Sequence, residues 1–252
     1  MAALFYVLVG IIGLILGGFL ARASHAVPRG EYMDLVAPSC PYCGKKLPRA
    51  ACIPLIGSFL VAFRCPHCGE RQGVKSLISE VVFAAVCLLL HLVYGFSYLF
   101  FVYVLTAGLL LMLSLIDLDI KEVPHSLLFA VLLLGVLLFV FSFFDFSLTG
   151  TVWWGHLIGA VVVSVPLFVL MMVTGGVGGG DVKLMFCLGL LLGWKLTIVT
   201  FFFGVILAAL VALVLRIWCG KGGKYQLPLV PFLSLGAVIA LLVGERLLAV
   251  VF

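Results

Sequence analysis

The sequence predicts an all-α polytopic membrane protein with about eight transmembrane helices and a small cytoplasmic zinc-binding module between helices 1 and 2. Three observations predict it. The 252 residues are 65% hydrophobic and only 10% charged, with a mean hydropathy of +1.38, whereas soluble domains run near a quarter charged. Apolar runs of about 20 residues, enough to span a hydrocarbon core, recur along almost the whole length. One long polar segment interrupts them and carries two C-x-x-C pairs.

The expected division is a first transmembrane helix over 1–21, a cytoplasmic four-cysteine zinc module over 22–76, and a helical bundle over 77–252. The first apolar stretch lacks a basic flank before it and a small-residue cleavage site after it, so it reads as a retained helix. The module holds Pro28, Pro38, Pro41, Pro48, Pro54 and Pro66 and few helix-like apolar periods, which predicts loops and short strands. The further spans are placed at 77–94, 98–116, 126–144, 155–174, 183–194, 196–217 and 232–252. Gly193-Trp194-Lys195 marks a turn after the short sixth one, and Pro166 is expected to kink the fifth.

Lysine and arginine placement sets the orientation. Arg22, Arg29, Lys45, Lys46, Arg49, Arg64, Arg71 and Lys75 lie between the first two spans. Lys121, Lys183, Arg216, Lys221 and Lys224 fall on the same side if the chain crosses eight times, leaving only Lys195 and Arg246 elsewhere. The positive-inside rule then puts the polar module in the cytoplasm. The net charge of +5 is accounted for by topology and lipid contact, and no nucleic-acid partner is expected.

"CPYCG" and "RCPHCG" bring Cys40, Cys43, Cys65 and Cys68 to one tetrahedral point. The glycine after each second cysteine permits the tight turn that frees backbone N–H groups for sulfur. That is the arrangement of a structural zinc site built from four cysteines, whose metal supplies folding free energy to a segment with little apolar content; a thiol-redox role and an iron site are the alternatives. A cytoplasmic setting argues against disulfides. His67 reads as a bystander, and Cys52, Cys87, Cys187 and Cys219 as core-filling residues.

Charge within so apolar a chain is a functional candidate by default. In "TGGVGGGDVKLM", Asp181 opens the sixth span, where a helix N-terminus favours negative charge. Glycines beside it, Gly178 and Gly180 among them, allow positive φ and the close approach of another backbone. "SLIDLDIKEVPH" supplies Asp117 and Asp119 at the end of the third span, and periodicity does not choose between them. On the eight-span topology Asp117 and Asp181 emerge on one face. Two carboxylates a few ångströms apart cannot both ionise, so one activates water while the other holds a proton. Taken singly, either aspartate could instead end or cap a helix, and a membrane scaffold or transporter with a zinc knuckle is the non-enzymatic reading. Glu80 and Lys183 are polar contacts for a substrate amine or for lipid headgroups, or interfacial anchors.

With these residues assembled, the chain resembles the type IV prepilin peptidase family, Gly-x-Gly-Asp aspartic membrane proteases that act as bifunctional prepilin leader peptidase and N-methyltransferase. The likeness runs through "GLILGGFLARASHAVPRGE", "SCPYCGKKL", "CIPLIGSFL", "RCPHCG", "SLISEVVF", "SLIDLDIKEVPH", "GGGDVKLM" and "LPLVPFLSLGA", in that order. It implies Asp117 and Asp181 as the catalytic pair. It also implies cleavage of prepilin or pseudopilin precursors after a glycine at the cytoplasmic edge of an apolar helix, for type IV pili or protein secretion. Methylation of the new N-terminus with S-adenosylmethionine and residence in the bacterial inner (plasma) membrane follow from the same likeness. The chain departs from the family's pattern at Gly18, Ala21, Ala26 and Cys52, near the module linked to methyl transfer, and shows no glycine-rich S-adenosylmethionine loop. Another Gly-x-Gly-Asp intramembrane protease is the nearest enzymatic alternative.

Overall fold

A computed structural model of the chain describes residues 2–29, 40, 43–45, 65, 67–69, 73–144, 151–219 and 227–251. Among the described residues the regular structure is helical, with no strand. Most of segment 22–76, with its expected loops and short strands, lies outside them, as does Cys52. Six helices among the described residues are long and apolar enough to cross a membrane. The chain forms two compact units, Met1–Ile116 and Asp117–Phe252.

In the first unit, α1 (Ala2–Ala26) packs on α2 (Gly73–Tyr94). Helices in lipid gain little from burying apolar surface against each other, so close backbone contact must hold them. Small residues four apart provide it. A Cβ at Gly13 would lie 2.7 Å from Ala84 Cα, and one at Gly17 2.7 Å from Glu80 Cα. The third helix, α3 (Tyr98–Ile120), lays Gly108 against Leu20 and Phe83. Its inward face carries Leu110, Leu113 and Ile116, all fully buried. α3 ends where Lys121 turns to φ 56° and its N–H closes on the Asp117 carbonyl at 3.0 Å, a left-handed cap on a residue with a Cβ.

The second unit opens with α4 (His125–Phe144), begun at Pro124, whose carbonyl accepts the Leu128 N–H. The next apolar run is broken into α5 (Trp153–Val162) and α6 (Ser164–Thr174) at Val163. Pro166 explains the break, since it has no N–H for the Val162 carbonyl and its ring crowds that carbonyl. α6 closes on Gly175, in the left-handed region at φ 62°.

The long α7 (Gly179–Cys219) contains one residue outside helical geometry, Gly193, at φ 75° and ψ 165°. It lies at the turn expected from Gly193-Trp194-Lys195. A glycine is required here twice over: the φ is positive, and a Cβ would lie 2.7 Å from the Thr151 methyl. Just before the break, the Leu190 carbonyl accepts from Nδ1 of the fully buried His156 at 2.8 Å, satisfying a segment-end acceptor. The first segment of α7 packs on α5 through Gly159 and Gly189, each so close that a Cβ would fall on the other's carbonyl. The second packs antiparallel on α8 (Val230–Val251), with Leu233 on Gly204, Gly236 on Thr200 and Gly244 on Leu196.

Replacing Gly159 with alanine should therefore force α5 from α7 and destabilise the protein by about 1–3 kcal/mol. Gly10→Ala, whose Cβ would meet only Leu88 methyls at 3.7 Å, should be neutral or stabilising by up to ~1 kcal/mol. Thermal unfolding of the two purified variants in detergent checks the contrast.

Candidate active site and metal centre

Asp117 occupies the last turn of α3 and is 6% exposed. Neighbouring residues Leu118, Asp119 and Ile120 are exposed, so the carboxylate the sequence could not choose is distinguished here by burial. The Asp117 Oδ2 accepts the backbone N–H of Val230, the first residue of α8, at 3.2 Å. Lys121, one turn on, adds a positive charge within Coulombic range.

Asp181 stands at the head of α7. The Gly178 carbonyl accepts the Asp181 N–H at 3.1 Å and the Val182 N–H at 3.5 Å, making Gly178 the N-cap. Asp181 is then the third helical residue, and its carboxylate reaches back to the Gly178 amide, half of a capping box. A Cβ on Gly178 would lie 3.1 Å from Asp181 Oδ2. Asp181 is half-buried, and its carboxylate feels the charge of Asp117 directly. The charge of Asp117 thus acts on Asp181 across the gap between α3 and α7.

The glycines of the motif serve a purpose the sequence reading did not give them. In 174–181 only Gly175 takes positive φ; Gly178 and Gly180 do not. A Cβ on Gly180 would lie 2.6 Å from Val123 Cγ2 and 2.9 Å from Val123 Cβ. Gly180 is a notch, and the Val123 side chain fills it, docking the α3–α4 connection onto the head of α7. Two residues after Asp181, the exposed Lys183 meets His125 Nε2 through its ammonium at 3.1 Å, so its partner is the first residue of α4.

Glu80 lies in the first unit, 3% exposed, with Ser76 Oγ donating to its Oε1 at 3.0 Å. A Cβ on Gly18 would come within 2.8 Å of that same oxygen. The sequence reading missed Val230, Val123 and His125. Their signals were visible only as neighbours of named motifs: an amide between two prolines, and the two residues flanking Pro124.

Cys40, Cys43, Cys65 and Cys68 present four sulfurs within 4.8 Å of one another, a group that could hold a metal ion. The Cys40–Cys68 and Cys43–Cys65 separations are 3.7 and 3.9 Å. Tetrahedral thiolates at the usual zinc distance of about 2.3 Å have edges of about 3.8 Å, so the spacing fits a shared ion and is far too long for disulfides. Each pair folds in the same way. The Gly44 and Gly69 N–H groups close on the Cys40 and Cys65 carbonyls, and both glycines are left-handed, at φ 68° and 74°. The His67 N–H points at Cys65 Sγ at 3.4 Å, satisfying a sulfur through backbone while its ring stays outside the group.

The comparisons with known proteins bear on both sites. The model of the type IV leader peptidase family matches residues 103–213, and that of the bacterial peptidase A24 N-terminal domain matches residues 11–94. A prepilin leader peptidase/N-methyltransferase of Bacillus subtilis (strain 168) is 30% identical over 243 residues, covering 95% of this chain and 94% of the relative. Proteins of the same name from Stutzerimonas stutzeri and Pseudomonas putida are 27% and 28% identical, covering 95% and 98% of this chain and 91% and 93% of their own lengths. No solved structure matches. The first match contains both aspartates, the second all four cysteines, and the likeness extends from end to end: the chain belongs to the type IV leader peptidase family.

Proposed function

We propose that this protein is a membrane aspartic endopeptidase that removes the leader of type IV prepilin-like precursors and then methylates the exposed amine. The observation that carries the peptidase reading is the electrostatic pairing of a buried Asp117 with Asp181. In the proposed reaction a water molecule lies between the acids and the scissile carbonyl. The ionised acid takes its proton, hydroxide adds to the carbonyl carbon, and the protonated acid gives its proton to the carbonyl oxygen. The tetrahedral diol collapses as the amine leaves with a proton returned from the dyad. Cleavage after glycine is read from the likeness to the family, and on this chain Gly178 lies directly beside the Asp181 carboxylate.

We read Gly193, which breaks the helical geometry of α7, as the turn between two passes, and this supports an eight-crossing topology with a cytoplasmic site. On that reading Asp117, Asp181 and the basic loops share the cytoplasmic face of the inner membrane. The domain reading remains 1–21, 22–76 and 77–252, with the cysteine module zinc-bound and lipid headgroups around the basic residues. Zinc would be held by the four thiolates, closed to other ligands, so its chemistry there is structural. Methyl transfer rests on the names of the relatives. S-adenosylmethionine, when bound, supplies an electrophilic methyl group. On this chain Glu80 is a buried acid of the sign that attracts an amine, and Asp119 and Lys183 are exposed polar residues two positions from Asp117 and Asp181.

Changing either Asp117 or Asp181 to alanine should lower leader removal by about 10³-fold or more while the protein still inserts. Processing of a precursor peptide by purified variants checks this, and full cleavage by either one sinks the dyad. Mapping the cut by mass spectrometry separates this reading from cleavage inside a substrate helix. Product mass with and without S-adenosylmethionine reports methylation, expected as a gain of about 14 Da for one methyl group.

Removal of metal should unfold the module and leave the bundle standing. Metal analysis is expected to find about one zinc per chain, lost in Cys65→Ser. Chelation should expose the four thiols to a thiol reagent and abolish methylation before cleavage. Retention of zinc by Cys65→Ser counts against the four-cysteine site.

A further inference from the structure

The head of α8 is unusual in how few donors it offers. An α-helix leaves its first N–H groups without intrahelical partners, and in a buried setting each must go somewhere. In "LPLVPF" there are few to place. Pro228 and Pro231 have no N–H, and the Phe232 and Leu233 N–H groups both return to the Leu229 carbonyl at 3.1 Å. That makes Leu229 the N-cap and Val230 the first helical residue. The Val230 N–H is directed instead at Asp117 Oδ2, 3.2 Å away and 113 residues earlier in the chain. Val230 itself is fully buried, so water cannot replace the donor.

A hydrogen bond of this kind does two things to a carboxylate. It fixes the plane of the group, and it commits one oxygen. Asp117 is a rotor with two equivalent oxygens until one of them is tied. The charges that face it are Lys121 from the end of its own helix and Asp181 from α7, and neither is hydrogen-bonded to a defined oxygen. The amide is.

We propose that the Val230 backbone N–H is a positioning group of the catalytic dyad, tying Asp117 Oδ2 so that the other oxygen is the one presented to the nucleophilic water. The paired prolines keep competing donors away from Asp117. The inference rests on the dyad reading given above, and extends the reacting assembly to a third segment of chain, the entry to the last helix.

The test removes one hydrogen. Val230 stands at the first helical position, where the backbone best tolerates proline, so Val230→Pro deletes the N–H and also sets the proline Cδ against Asp117 Oδ2. Val230→Ala keeps the N–H. In steady-state cleavage of a precursor peptide by the full-length protein, Val230→Pro should lose kcat by about tenfold or more, with KM within about threefold, and Val230→Ala should stay within about twofold of the parent. A backbone ester at position 230, made by incorporating 2-hydroxy-3-methylbutanoic acid, keeps the valine side chain and deletes the same hydrogen. It should match Val230→Pro, and it decides the matter alone if the proline variant does not fold. Wild-type kcat in the ester variant, or an equal loss in Val230→Ala, overturns the proposal. Asp117→Asn and Asp181→Asn are run beside them. If those still cleave, the dyad reading falls and takes this one with it. If they are inactive while the ester variant is unimpaired, only the role of Val230 is lost.

Discussion

Two carboxylates that share one poorly hydrated space repel each other, and a fold holds them there only by fixing the backbone on both sides. The pairing of Asp117 with Asp181 is that constraint, and much of the second unit reads as its consequence. The Gly178 cap holds one acid at the head of α7. The Lys121 turn ends α3 one helical turn beyond Asp117 and leads the chain to Val123, which seats on α7. The Val230 amide anchors the other acid from a third direction. None of these contacts is worth more than a few kcal/mol by itself, but each removes a way for like charges to separate.

Much of the fold was legible in the sequence because bilayers simplify the problem. Hydropathy located the long apolar helices to within a few residues, since only helices satisfy their backbone in lipid. Pro166 and Gly193 announced the interruptions of α5–α6 and α7 through elementary backbone chemistry. Length and composition alone merge α7 into one candidate span, and Gly193-Trp194-Lys195 was the signal that its helical geometry is interrupted. The cysteine cluster was readable from spacing alone, since two C-x-x-C turns impose their own local geometry. The choice of acids was half readable. Periodicity left Asp117 and Asp119 equivalent, and only tertiary packing makes one buried and the other exposed.

What the sequence could not disclose were contacts made by residues without chemical character. Val123 and Val230 look like any of the chain's aliphatic residues. Val123 matters through its volume and Val230 through its N–H, and neither property is distinctive until the partner is known. Lys183 shows the converse. A lysine two residues from Asp181 invites a role in binding, yet its ammonium is engaged by His125. The two sites also differ in what they require of their surroundings. The cysteine turns need only left-handed glycines and an ion, whereas the acids need three separate segments to arrive in register.

The Val123–Gly180 contact has a bearing on how such sequences drift. A glycine kept for its dihedral freedom can be lost only by remodelling its own loop. A glycine kept as a hollow is bound instead to whatever fills it, so positions 123 and 180 should change as a couple, bulk shed at one being matched by bulk acquired at the other. Inherited variation would then record this handshake as covariation between the two aspartate segments, even where neither acid ever varies.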